Sequence, residues 1–101
     1  MKYVLLSSDN NPSVYSVPDK VANDLINYCI DFCHNWLNNS PHAKKYRLKG
    51  GILCYNEHDF IEYLNQWIFP DEQSVYIETL EFIQTKKGIP EKYKDCEWFN
   101  F

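Results

Sequence analysis

One long segment, residues 19–39, constrains the fold of this chain more than any other. Its polar residues recur at alternating steps of four and three, which is typical of an α-helix with one solvent stripe; they are Lys20, Asp24, Asn27, Asp31, His34 and Asn38. The other positions form two adjacent apolar seams, Ala22, Leu25, Cys29, Phe32 and Trp36, then Ile26, Ile30, Cys33 and Leu37. We therefore expect a central helix covered on two sides, by a sheet and by a second helix or a partner subunit.

The segments around this helix predict a hairpin before it and a second helix after it. Residues 2–7 and 13–17 alternate in polarity around a turn-forming run, residues 8–12. Pro18 favours a helix start, and Ser40 with Pro41 ends the helix. A second helix begins after Asn56, a capping residue, and runs to Phe69 before Pro70; its apolar face is Phe60, Ile61, Leu64, Trp67 and Ile68.

Three further elements are predicted less directly. Two short strands, residues 46–49 and 51–55, flank the Gly50-Gly51 turn. Residues 71–84 combine β-propensity with helical spacing, and we interpret them as a short helix near 72–79 followed by a strand at 80–84. Pro90 opens one helical turn that reaches Tyr93. The predicted fold is α+β, a small, mostly antiparallel sheet with two main amphipathic helices packed on one face, in one domain spanning residues 1–101.

The C-terminal residues carry three large aromatic side chains, Trp98, Phe99 and Phe101, where a chain normally frays. Full burial of three such rings is worth on the order of 10 kcal/mol. This terminus must therefore dock, either on the protein's own core or on another surface, and the sequence leaves both possibilities open.

Composition excludes several classes of protein. No apolar run approaches the roughly 18 residues of a membrane span, and the N-terminus lacks a secretory apolar region, so we expect a cytoplasmic protein. In that compartment Cys29, Cys33, Cys54 and Cys96 are expected to be free thiols. No Cys-x-x-Cys pair, phosphate-binding glycine loop or serine-hydrolase elbow is present. We therefore predict no metal and no cofactor.

One thiol and one imidazole form the outline of a reactive site. Cys54 lies two residues before the Asn56 cap, where the positive end of a helix can lower a thiol pKa, and His58 follows in the next turn. No third, orienting group is evident, and residues four apart across a strand-to-helix corner need not face each other. A thiol-dependent enzyme or redox protein that uses Cys54 and His58 is thus the alternative to a protein without catalysis.

Charge is unevenly distributed along the chain. The only basic run is Lys44, Lys45, Arg47 and Lys49, with Tyr46 available to stack on a base, which makes a weak nucleic-acid contact the third hypothesis. Between Gly50 and Thr85 there is no base, and the acids there are Glu57, Asp59, Glu62, Asp71, Glu72, Glu78 and Glu81. Such a stretch can oppose a basic protein surface, since charge steers encounters and aromatic residues supply affinity.

The leading hypothesis from sequence is a small acidic protein-binding module without catalytic activity, an inhibitor-type, immunity-type or self-associating protein. The residues predicted to contact the partner are Trp98, Phe99, Phe101, Glu57 and Glu62. Neither a membrane nor a small-molecule substrate is predicted.

Overall fold

The computed structural model of the protein describes residues 1–81 and 88–101. Its sheet has four strands, β1 (Lys2–Ser7), β2 (Ser13–Val17), β3 (Val75–Thr79) and β4 (Trp98–Asn100), in the order β3-β2-β1-β4. β2 is antiparallel to both β1 and β3, whereas β4 runs parallel to β1. The α+β class and the mostly antiparallel sheet are therefore confirmed.

The first helical region begins and ends where the sequence predicts but is not one regular helix. It consists of α1 (Asp19–Ala22), α2 (Leu25–Ile30), a π-helical stretch (Asp31–Trp36) and α3 (Leu37–Asn39). The break between α1 and α2 falls at Asp24, whose backbone leaves the helical region with φ −143°. A 3₁₀-helix, Pro41–Tyr46, follows at once, and the Ser40 side chain accepts a hydrogen bond from the His42 backbone N–H at its start.

The second helix, α4 (Glu57–Tyr63), continues as a π-helical stretch, Leu64–Ile68. The predicted cap is confirmed in full, because the Asn56 side chain accepts from the backbone N–H groups of His58 and Asp59 while the Asp59 carboxylate accepts from the Asn56 N–H. Both main helices pack on the same face of the sheet. Buried side chains of the two helical regions, such as Phe32 of the first π-helical stretch and Phe60 of α4, share one core, the main core, with Val4 and Tyr15.

The opposite face of the sheet has a smaller core of its own. Leu5 and Val14 point to that side, where they pack with Leu80, Ile89 and Tyr93. Tyr93 belongs to a 3₁₀ turn, Glu91–Tyr93, that starts after Pro90 as predicted. Leu80, Ile89 and Tyr93 therefore cover part of the face that the helices leave open.

Two predicted elements differ in the structure. Residues 72–79 do not form a helix: β3 occupies Val75–Thr79, because pairing with β2 satisfies its backbone and realises the β-propensity of Val75 and Tyr76. The predicted strand at 80–84 is not observed at residues 80 and 81, and residues 82–84 lie outside the described residues.

The predicted strands at 46–49 and 51–55 are also wrong. The chain folds back on itself there, but only one isolated antiparallel bridge forms, between Arg47 and Leu53, and the preceding 3₁₀-helix extends to Tyr46. The turn itself is confirmed, since Gly50 and Gly51 have φ of 86° and 78°, values that other residues rarely adopt.

The first helical region was predicted to be buried along both of its apolar seams, and the second seam is buried only in its C-terminal half. Cys33 and Leu37 are buried, but Ile26 and Ile30 keep 54% and 40% of their surface exposed. In the described part of the chain no helix combines the length and apolarity needed to cross a bilayer.

Candidate functional site

The three C-terminal rings, which the sequence left as core or anchor, pack against the protein's own cores. β4 is held to β1 by backbone hydrogen bonds, and the Trp98 Nε1–H donates to Ser7 Oγ at 3.0 Å. Phe99 and Phe101 lie against the main core, with the Phe101 ring centroid 5.5 Å from that of Phe60. The Phe101 ring also lies 6.0 Å from that of Phe32 and 4.8 Å from that of Phe99, measured between ring centroids.

The two acids predicted as contact residues have different environments. Glu57 is only 4% exposed, and its carboxylate accepts a hydrogen bond from Ser8 Oγ at 2.7 Å. It lies in the first turn of α4, where the helix dipole favours a negative charge. Glu62 is exposed and faces Lys45 Nζ at 3.7 Å. Glu57 is therefore a residue that joins the β1–β2 turn to α4, and Glu62 alone of this pair is available to another molecule.

Cys54 and His58, the predicted thiol and imidazole, are not joined by a hydrogen bond. The His58 Nδ1 instead forms a hydrogen bond with the hydroxyl of Tyr15, which is buried in the main core. Burial raises the pKa of that hydroxyl well above its ordinary value, and the nearby Glu57 charge adds to the effect. Tyr76 packs edge-on against Tyr15, with centroids 5.7 Å apart. The imidazole is thus engaged by β2 and β3, while Cys54 is exposed on the loop before the helix.

The other thiols are placed as structural residues. Cys29 and Cys33 are buried, Cys96 is partly buried, and all four cysteines are free. Burial raises the pKa of both Cys33 and Cys96. Across residues 1–81 and 88–101, no group of three or more His, Cys, Asp or Glu side chains is arranged to hold a metal ion.

The basic residues form a short exposed stretch, but several of its members are already engaged. Lys44, Lys45 and Lys49 are exposed, while Arg47 Nη1 donates to the Leu37 carbonyl at 2.9 Å. Tyr46, the ring predicted to be free for stacking on a base, is buried in the main core, and Lys45 lies over its face at 5.0 Å from the centroid. A phosphate contact at this stretch would therefore rest on three lysines without an aromatic platform.

The largest exposed apolar run in a strand is on β3, which the sequence assigned to a helix. Val75, Tyr76 and Ile77 are consecutive and keep 52%, 48% and 39% of their surface exposed. Within the described residues β3 pairs with β2 alone and is an edge strand of the sheet. An edge strand presents a row of backbone N–H and C=O groups with which another strand can pair. A register shift opposite Val14 and Tyr15 leaves Ile77 unpaired as a β-bulge.

Among the described residues, the charges that flank β3 in the chain are negative. Asp71 and Glu72 precede the strand, Glu81 follows it, and all three are exposed. Glu78, on β3 itself, differs from these three acids because its charge is paired within the protein. Its carboxylate accepts a hydrogen bond from the Tyr93 hydroxyl at 2.5 Å and lies 3.5 Å from Lys92 Nζ. These contacts lower the pKa of the Glu78 carboxyl, the Tyr93 hydrogen bond contributing most. We call Val75, Tyr76, Ile77 and the three exposed acids the β3 edge.

Signals for the β3 edge were present in the sequence but were assigned to other structures. The β-propensity of residues 75–79 and the absence of bases from 50 to 85 were both visible. What was missing was the strand order, which makes β3 an edge strand. Comparison of the chain with known protein families, with curated proteins and with solved structures gives no significant match. A functional proposal for this protein therefore rests on its residues and their geometry.

Proposed function

We propose that this protein is a protein-binding module without catalytic activity, and that its β3 edge takes an extended basic segment of a partner protein as an added strand. The observation that carries the proposal is the run of three exposed apolar side chains, Val75 to Ile77, on a strand with one described neighbour. Strand addition uses main-chain hydrogen bonds for affinity and side-chain contacts for specificity. Tyr76 supplies the kind of aromatic anchor that dominates many protein interfaces.

Charge supports a basic occupant over a second copy of this chain. Two copies paired through β3 would bring Asp71, Glu72 and Glu81 of each close to those of the other, and such like-charge contacts oppose association. The bulge at Ile77 also increases the local twist of the edge, a device that discourages flat edge-to-edge pairing. A short flexible segment with lysine or arginine side chains can follow that twist and neutralise the acids.

The proposal agrees with the inhibitor-type function predicted from sequence. A small acidic protein that docks on a basic surface blocks that surface by occupying it. Self-association through the C-terminal rings has less support, because those rings contact the protein's own cores.

A capped peptide of alternating lysine and valine tests the β3 edge directly. We expect titration calorimetry to show binding that weakens as salt is raised, and Ile77→Lys to weaken it about tenfold by removing an apolar contact and adding a like charge. Ile52→Lys is the matched control, since Ile52 is also exposed but lies in the Gly50-Gly51 turn region. Equal affinity of both variants, or a wild-type protein that is dimeric by light scattering and ignores the peptide, would contradict the proposal.

A further inference from the structure

A second feature, separate from the β3 edge, is a cavity of about 220 Å³ between the two main helices. Four of its lining residues come from one face of the first helical region and two from the second; they are Asp24, Asn27, Tyr28, Asp31, Tyr63 and Ile68. The cavity therefore combines two carboxylates with two phenol rings. Among residues 1–81 and 88–101, no lysine, arginine or histidine lines it.

The π-helical stretches Asp31–Trp36 and Leu64–Ile68 both contribute residues to this cavity. Asp31 is the first residue of one stretch, and Ile68 is the last residue of the other. π-Helical turns are rare and occur frequently at functional sites, because the extra residue in the turn redirects side chains. Here one stretch supplies a carboxylate, Asp31, and the other an apolar side chain, Ile68, to the lining of one cavity.

The carboxylates are oriented by neighbouring side chains. The Tyr63 hydroxyl, on a residue buried in the main core, donates to Asp31 Oδ2 at 3.1 Å, and Asn35 Nδ2 donates to Asp31 Oδ1 at 3.1 Å. Asn27 Nδ2 donates to Asp24 Oδ1 at 2.7 Å. Each carboxylate oxygen can accept more than one hydrogen bond, so both groups keep acceptor capacity while their positions are fixed.

The geometry points to a binding site for an organic cation, an ammonium or guanidinium group on an aliphatic stem. Carboxylates pair with the charged head, electron-rich ring faces such as that of Tyr28 attract it, and the apolar wall formed by Ile68 contacts the stem. The volume accommodates a side chain of the size of lysine or arginine. Two sources present this chemistry, a free alkylamine and a basic side chain of a protein.

Nuclear magnetic resonance titration with capped arginine amide, capped lysine amide and agmatine tests this inference. We expect millimolar-range binding, with shifts of backbone amide signals confined to residues 24–31 and 63–68. Capped norleucine amide, which keeps the stem without the charge, should bind at least about fivefold more weakly. Tighter binding of agmatine supports a free amine as the source, and tighter binding of a capped amino acid supports a protein side chain.

Matched variants separate the cavity from general electrostatic attraction. Asp31→Asn and Asp24→Asn should each weaken binding about three- to tenfold. Asp19→Asn removes the same charge from an exposed position on α1 and should leave binding unchanged. Equal weakening by Asp19→Asn, or equal binding of norleucine amide, would overturn the inference. None of these variants touches the β3 edge, so the outcome is independent of the proposed function.

Discussion

At the scale of single residues, the structure gives individual polar groups roles that their neighbours determine. Tyr63 is buried in the main core with its hydroxyl directed at Asp31. Burial is the main cause that raises the pKa of Tyr63 well above its ordinary value, and the hydrogen bond to Asp31 and its negative charge add to the shift. A tyrosine whose pKa is higher in the folded than in the unfolded state makes the free energy of unfolding depend on pH in the alkaline range.

The first residue-scale prediction concerns stability at high pH. Because the folded-state pKa of Tyr63 is raised, its contribution is fully present below the unfolded-state pKa of about 10 and is lost as pH rises above that value. Urea unfolding at neutral and alkaline pH should therefore show a shallower alkaline loss in Tyr63→Phe than in the wild type. Tyr3→Phe, at an exposed tyrosine, should follow the wild type. Parallel alkaline slopes for Tyr63→Phe and the wild type would exclude this linkage.

At the scale of elements, helix starts were the most predictable feature of the chain, because a cap is built from residues adjacent in sequence. Asn56 and Asp59 form the expected reciprocal bonds at α4. Asp24 also occupies a cap position, at α2, but its side chain accepts no hydrogen bond from the helix backbone. The two positions form a natural pair for measuring what a cap contributes.

Replacing these caps should have unequal effects. Asn56→Ala is expected to lower the free energy of unfolding by about 1 kcal/mol, because two backbone N–H groups of α4 lose their acceptor. Asp24→Ala should cost less, since no cap bond is lost there. Chemical denaturation of both variants provides the measurement, and a larger loss for Asp24→Ala would contradict the assignment of the caps.

Strands were less predictable than caps. The alternating patterns of β1 and β2 are confirmed. Both strands bury one set of residues under the helices and the other set in the smaller core on the opposite face of the sheet. β3 was misassigned because Tyr76, Leu80 and Ile83 fall at helical steps, and only pairing with β2 distinguishes the two alternatives. In residues 46–55 the predicted glycine turn is observed but the two predicted strands are not. Local propensity does not supply a neighbouring strand with which to pair.

At the scale of the whole molecule, the C-terminus joins elements that are distant in sequence. β4 pairs with β1 at the other end of the chain, and the Phe101 N–H donates to the Ser7 carbonyl at 2.8 Å. The Phe101 ring lies near those of Phe32, Phe60 and Phe99. The last residues thus close the main core at its junction with the sheet.

Truncating this ring should measure that closure. Phe101→Ala is expected to lower the free energy of unfolding by about 2 kcal/mol, less than for a fully buried phenylalanine because Phe101 is partly exposed. Ile52→Ala, at a position 62% exposed, should cost less than about 0.5 kcal/mol. Equal and small losses in thermal or urea unfolding would place the ring outside the core.

The sequence by itself determined the features set by neighbouring residues: the α+β class, the first hairpin, the Asn56 cap, the glycine turn and the need for the C-terminal rings to dock. Tertiary structure alone decided that β4 joins β1 in parallel, that β3 is an edge strand, and that Asp24, Asp31 and Tyr63 line one cavity. Spacing and capping are local properties of the chain. Strand order and the meeting of two helices depend instead on which distant surfaces bury one another.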